Sequence, residues 1–229
     1  MASTLKIISS MATKQVLAEL IALYQKDHAI DIALESVGGV DAAKRVQAGE
    51  AFDLVMLAQD AIDKLIAGGA VEAGSRVDIV RSGVAVAVRA GTPQPDIGSE
   101  EALKAAVLAA PSISYSTGPS GVQLVKLFER WGVAEQLQSR TVQAPPGVPV
   151  GSLVAKGEAA LGFQQLAELI HLQGISLLGP LPPAVQITTV FSGGIARAAS
   201  QGDAARALLD FFASPAAAQA KQRQGMEAA

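Results

Sequence analysis

The residues with chemical potential in this sequence are small: serines, threonines, glycines and amides set just ahead of helical patterns. Such runs follow strand-like stretches at Ser9-Ser10, Val37-Gly38-Gly39 and Ala58-Gln59, then at residues 116–121, Pro146-Gly147-Val148 and Gln164-Gln165. The first N–H groups of a helix have no intrahelical acceptor, and they lie at the positive end of the helix dipole. A loop of this kind accepts an anion without any formal charge. Thr117-Gly118-Pro119-Ser120-Gly121 is the strongest candidate, since Gly118 and Gly121 allow close backbone approach and Thr117 or Ser120 offers a hydroxyl. The same residues also make an ordinary N-cap, which needs no ligand. Ser9 or Ser10 reads in the same two ways, and Gly38-Gly39 is either a turn or a cradle. Gln164 and Gln165 are two amides at the end of a buried strand, and packing alone does not explain them. At least one is expected to reach a ligand.

Other chemistry finds little support. Cysteine is absent, which excludes disulfides, thiol catalysis and Cys-ligated metals, and only His28 and His171 could supply imidazole. Asp60 reads as a helix cap, Glu50 and Glu158 follow glycines that end helices, and Asp53 leads into a strand. Arg81, between two strand patterns, is the one cation placed to enter a cleft, and a structural ion pair explains it equally well. Phosphate loops, nucleophile elbows and zinc-protease motifs are all missing, so phosphoryl transfer and metal hydrolysis are disfavoured, and neither a cofactor nor a metal is expected. A net charge of −3 without a Lys/Arg cluster disfavours nucleic acid as a partner. The expected partner is a small anion.

These loops need elements to present them. Half of the 229 residues are apolar and mean hydropathy is +0.34, so the chain can bury a core, and no run reaches membrane-spanning length. The stretch Val46-Gln-Ala-Gly49-Glu-Ala-Phe-Asp53-Leu-Val-Met-Leu57 returns as Val154-Ala-Lys-Gly157-Glu-Ala-Ala-Leu-Gly-Phe-Gln164-Gln165. Both copies read as a helix end, a glycine stop and a buried strand. Strands are expected at residues 5–8, 30–35, 53–57, 77–80, 83–88, 113–115, 141–143, 161–164 and 175–178, with an extended segment at 187–191. Helices are expected at 15–26, 41–48, 61–67, 99–109, 122–131, 151–156, 167–171, 203–213 and 215–225. The fold class is therefore α/β, with parallel sheets, short connections and right-handed crossovers. Two lobes are expected, residues 1–82 with 189–229 and residues 83–188, joined by two hinge crossings, with the ligand cleft between them.

Met1-Ala-Ser-Thr4 leads straight into Leu5-Lys-Ile-Ile8, without a basic region, an apolar stretch and a small-residue cleavage site. The expectation is a cytoplasmic protein, or a periplasmic one whose signal has been removed.

Taken together, the first-strand serines, Gln47-Ala-Gly-Glu-Ala-Phe-Asp53, Ala67-Gly-Gly69, Arg81-Ser-Gly-Val-Ala-Val86, Gly157-Glu-Ala-Ala-Leu-Gly162 and Phe211-Phe-Ala-Ser-Pro215 resemble the type II bacterial solute-binding proteins, in particular the molybdate-binding branch. The similarity runs from Leu5 to Gly225. It implies a two-lobed clamp and, for an exported protein, ABC-transporter membrane subunits as partners. Members hold a tetrahedral oxyanion with hydroxyls and backbone N–H groups. Ser9 or Ser10 matches the first-loop serine, and Val148 matches a valine that offers its N–H. The serine run of the second loop is replaced by Gly38-Gly39-Val40, and a tyrosine by Gln165. Each lost hydroxyl removes a hydrogen bond worth roughly 1.5 to 3 kcal/mol to a charged ligand, so a small organic carboxylate is favoured over molybdate. A related group resembles aconitate isomerase, which moves a double bond by removing a proton beside a carboxylate. That chemistry needs a general base, and the sequence does not name one.

Overall fold

Alternating short strands and one-sided helices build the first part of the chain, as the computed structural model of residues 4–229 describes it. Strand β1 (Leu5–Ser10) is followed by α1 (Lys14–Tyr24), whose Val16, Leu17, Leu20, Ile21 and Tyr24 recur on one face and are buried. β2 (Ile32–Val37), α2 (Gly39–Gln47), β3 (Leu54–Ala58) and α3 (Gln59–Ala67) complete the cycle. β1 lies between β2 and β3 and is parallel to both. Ile8, Val55 and Leu57 of this sheet pack with Val46, Ile62 and Leu65 of the two helices. Helices α2 and α3 each begin two residues ahead of their expected starts. Asp60 therefore lies inside the first turn of α3 and makes no side-chain cap, although its charge still complements the dipole there.

A single strand, β4 (Val77–Arg89), replaces the two expected around Arg81-Ser82. Neither residue forces a turn, and the extended backbone simply continues, with Arg81 exposed and Ser82 buried. Next come α4 (Glu100–Ala109), β5 (Ile113–Tyr115), α5 (Pro119–Arg130) and α6 (Ala134–Gln138), the last unforeseen. β6 (Thr141–Gln143), α7 (Val150–Lys156), β7 (Leu161–Gln165), α8 (Leu166–Leu169) and β8 (Ile175–Pro180) follow. One turn of 3-10 helix at Pro183–Val185 occupies the proline-rich loop, a start that proline tolerates. The chain ends with β9 (Thr188–Ile195), α9 (Gly202–Ala213), α10 (Ala218–Arg223) and β10 (Glu227–Ala228). β9 runs through Ser192-Gly193-Gly194, where a break was expected. A Cβ on Gly193 would lie 2.2 Å from Leu209 Cδ2, so glycine lets α9 approach the strand there.

The chain forms two compact units, one of residues up to Ser82 with Val190–Ala229, the other Gly83–Thr189. In the first, β9 pairs antiparallel with β3, and β10 with β4. In the second, β5 is parallel to β6 and β7, while β4 pairs antiparallel with β7 and β8. Val86, Val88, Leu103, Leu124, Phe128 and Phe163 fill the core on one side of that sheet. Val150, Leu153 and Val154 of α7 pack on the other, where a Cβ on Gly162 would lie 2.5 Å from Val154 Cγ2. The repeated stretch takes one local structure twice: α2 and α7 each lead through a left-handed glycine, Gly49 at φ 81° and Gly157 at φ 78°, into a fully buried strand.

Asp53, just before β3, ties the first unit together. Its buried carboxylate accepts from the N–H groups of Lys6 (2.8 Å), Ser200 (2.8 Å) and Gln201 (3.0 Å) and from the Ser200 hydroxyl (3.2 Å). Burial alone would raise its pKa, but these donors favour the anion and hold it below the usual carboxylate range.

Candidate functional site

Every described α-helix but α4 starts without a side-chain cap from its N-cap residue, those at the carboxyl ends of parallel strands included. Gly38 before α2, Ala58 before α3, Gly118 before α5 and Gln165 before α8 place no side chain on a first-turn N–H. Helix α4 does not follow a parallel strand, and it is capped conventionally, with the Ser99 hydroxyl accepting from Ala102 N–H at 3.1 Å. The uncapped starts keep donors available for an anion.

In the first unit, Ser9 is fully buried at the end of β1 and its Oγ meets Ser36 Oγ at 2.7 Å. Ser10 Oγ lies 3.4 Å from Thr13 Oγ1, and Thr13 in turn donates to the Ser10 carbonyl. A Cβ on Gly39 would sit 3.6 Å from Ser10 Cβ, so Ser10 and the start of α2 are neighbours. Ser10, Gly38 and Gly39 thus come together, while Ser9 is engaged with Ser36. Arg81 is exposed on β4, in register with Glu227 of β10.

In the second unit, α5 starts three residues earlier than expected, so Ser120 and Gly121 belong to its first turn. Ser120 is buried, its Oγ 3.5 Å from Ser116 Oγ, whereas Thr117 is exposed. Gly121 has a packing role: a Cβ there would stand 1.8 Å from the Ser116 carbonyl oxygen, a clash with backbone. Gly147 has φ 79°, and Val148 N–H donates to the Pro145 carbonyl at 3.0 Å, so the N–H implied by resemblance is engaged in a turn.

The two amides at the end of β7 differ. Gln164 accepts from Val150 N–H at 2.8 Å, covering the start of α7, and donates to Glu168 Oε1 at 2.9 Å. Gln165 donates to Thr189 Oγ1 at 2.8 Å, and its buried Oε1 has no partner among the described residues. Leaving such an atom unpaired costs about 1–3 kcal/mol, and a bound donor would recover it. Glu168 was missed from sequence, although the Gln164–Glu168 spacing of four residues was legible there. Burial pushes the Glu168 carboxyl up to about 7, with the Gln164 hydrogen bond opposing the shift. A separate groove of about 550 Å³, lined in part by Val88, Arg89, Pro93, Pro95 and Leu161, includes none of the expected site residues. Among the described residues, no three His, Asp or Glu side chains gather as metal ligands.

A model of bacterial extracellular solute-binding proteins matches residues 5–227. The chain belongs to this family. It is 37% identical over 231 residues to aconitate isomerase from a Pseudomonas species, covering 98% of this chain and 88% of that protein. Among solved structures, the periplasmic molybdate-binding protein of Azotobacter vinelandii superposes with a TM-score of 0.80 at 21% identity, covering 97% of this chain and 98% of the other. The sulfate-binding protein of Mycobacterium tuberculosis gives 0.78 at 14% identity, covering 98% and 86%. These structures establish the α/β solute-binding fold. No helix among the described residues is long and apolar enough to cross a membrane.

Proposed function

We propose that this solute-binding protein holds a small unsaturated carboxylic acid of the aconitate class and shifts its carbon–carbon double bond. The observation that carries the reading is the 37% identity to aconitate isomerase along nearly the whole chain. The uncapped starts of α2 and α5 supply N–H donors for carboxylates, with Ser10, Gly39, Thr117 and Ser120 beside them. The unpartnered Gln165 Oε1 supplies an acceptor for a substrate hydrogen-bond donor. Glycine at 38 and 39 leaves room for a ligand larger than a tetrahedral oxyanion. No cofactor takes part in this proposal.

A second reading has its own support. The molybdate and sulfate neighbours are binding proteins, so the chain could deliver an anion to ABC-transporter membrane subunits, as an exported protein would. A thermal-shift series with cis- and trans-aconitate, other di- and tricarboxylates, molybdate, tungstate and sulfate tests the ligand class. Ligand at about 100 times its dissociation constant stabilises by roughly 2.7 kcal/mol, which is readily seen. Stabilisation by aconitate and not by molybdate is expected; stabilisation by molybdate or tungstate alone would replace the proposal with an oxyanion receptor.

A further inference from the structure

We infer that Glu168 is the proton carrier of the isomerisation, held in place by Gln164 beside the start of α7; this rests on the isomerase reading above. Gln164 is 2% exposed and fixed at both ends of its amide, by Val150 N–H and by Glu168 Oε1. That arrangement aims one carboxyl oxygen, Oε1, at the Gln164 amide. The Glu168 side chain is only partly buried, and it sits one turn beyond Gln165, whose buried Oε1 has no partner among the described residues. The Gly147-Val148 turn stands two residues ahead of Val150. The Glu168 carboxyl held by Gln164 and the unsatisfied Gln165 amide therefore lie at the same, carboxyl end of β7, on opposite faces of the strand.

Several other carboxylates are already committed. Asp53 accepts four hydrogen bonds, Glu35 and Glu50 pair with Arg45, and Glu100 pairs with Arg130 and Trp131. The Glu168 carboxyl is pushed toward neutrality, to about 7, where a base both holds and releases a proton near physiological pH. The cause is burial, and no charged neighbour enters it. The titratable groups on the elements around it are His171 just past its own helix, Lys156 at the far end of α7, and Asp78, Arg81 and Arg89 on β4, while β7 and β8 carry none.

The step balances without a co-reactant. The Glu168 carboxylate takes a proton from the methylene carbon beside a substrate carboxylate, breaking C–H and forming O–H. The electron pair spreads across the allylic carbons into the adjoining carboxylate. The Glu168 O–H then returns the proton to the far allylic carbon, so the double bond moves and the glutamate is restored.

The test uses the full chain with cis- and trans-aconitate. Glu168→Gln is expected to slow interconversion at least about 100-fold, to keep the trans-aconitate dissociation constant within about threefold, and to abolish the rise of rate with pH through about 7. Glu168→Asp is expected to retain a measurable rate and a displaced pH limb. If Glu168→Gln does not fold, Glu168→Asp decides: a wild-type rate with an unmoved limb overturns the assignment. Conversion by Glu168→Gln within about threefold of the wild type also overturns it, while leaving the isomerase reading intact. If the wild type binds aconitate yet neither interconverts it nor exchanges its methylene hydrogens with deuterated solvent, the isomerase reading fails and takes this assignment with it.

Discussion

Gln164 and Gln165 are neighbours in sequence with opposite fates. Adjacent residues of a strand point to opposite faces, so one amide turns to α7 and Glu168 while the other turns to Thr189. The sequence marks both as unusual at a strand end, but it cannot say which face meets which helix. The same limit applies to Ser9 and Ser10: the first is engaged with Ser36, and the second faces the start of α2. Thr117 and Ser120 were legible as hydroxyls beside a helix start, and a direct prediction follows for them. If they hold a carboxylate, Thr117→Ala with Ser120→Ala weakens aconitate binding about tenfold or more by calorimetry, at little cost in melting temperature. Unchanged affinity would remove this loop from the site.

Most elements were readable from apolar periodicity, and the misses lie at their ends. Helices α2, α3 and α5 start earlier than their polar residues suggest, because an uncapped first turn leaves no signature in sequence. The same missing caps make those turns candidate anion acceptors. β4 and β9 run through Arg81-Ser82 and Ser192-Gly193-Gly194, where the glycine pair serves close packing and not a turn. Asp53 shows an element-scale role that position alone could not reveal, since its partners Ser200 and Gln201 are remote in sequence. Its pKa is held low, so the stability it confers is fully present above the ordinary aspartate value and is lost as pH falls through the lower folded value. Asp53→Asn is expected to cost about 1–3 kcal/mol near neutral pH and to flatten the acid limb below about pH 4 in denaturant titrations. Equal acid sensitivity in the variant would show that other carboxylates dominate.

At the scale of the molecule, family membership was legible because its marks are spread along the chain, from the first-strand serines to Phe211-Phe-Ala-Ser-Pro215. Ligand chemistry was less so, because it depends on a few loop residues that differ between binding proteins of one fold. The proposed ligand contacts make a testable demand on hydrogen exchange. Saturating trans-aconitate is expected to protect backbone amides around Ser10 and Gly39 and also around Ser120 and Gln165. A loop left unprotected would be removed from the proposed site.

The central claim is catalysis, and the most direct measurement follows cis-aconitate by proton NMR in the presence of the wild-type protein. The account predicts that trans-aconitate appears at a rate proportional to protein concentration and approaches the same final ratio from either isomer. Unchanged cis-aconitate in a sample where thermal shift shows it bound would contradict the account and leave a carboxylate receptor in its place.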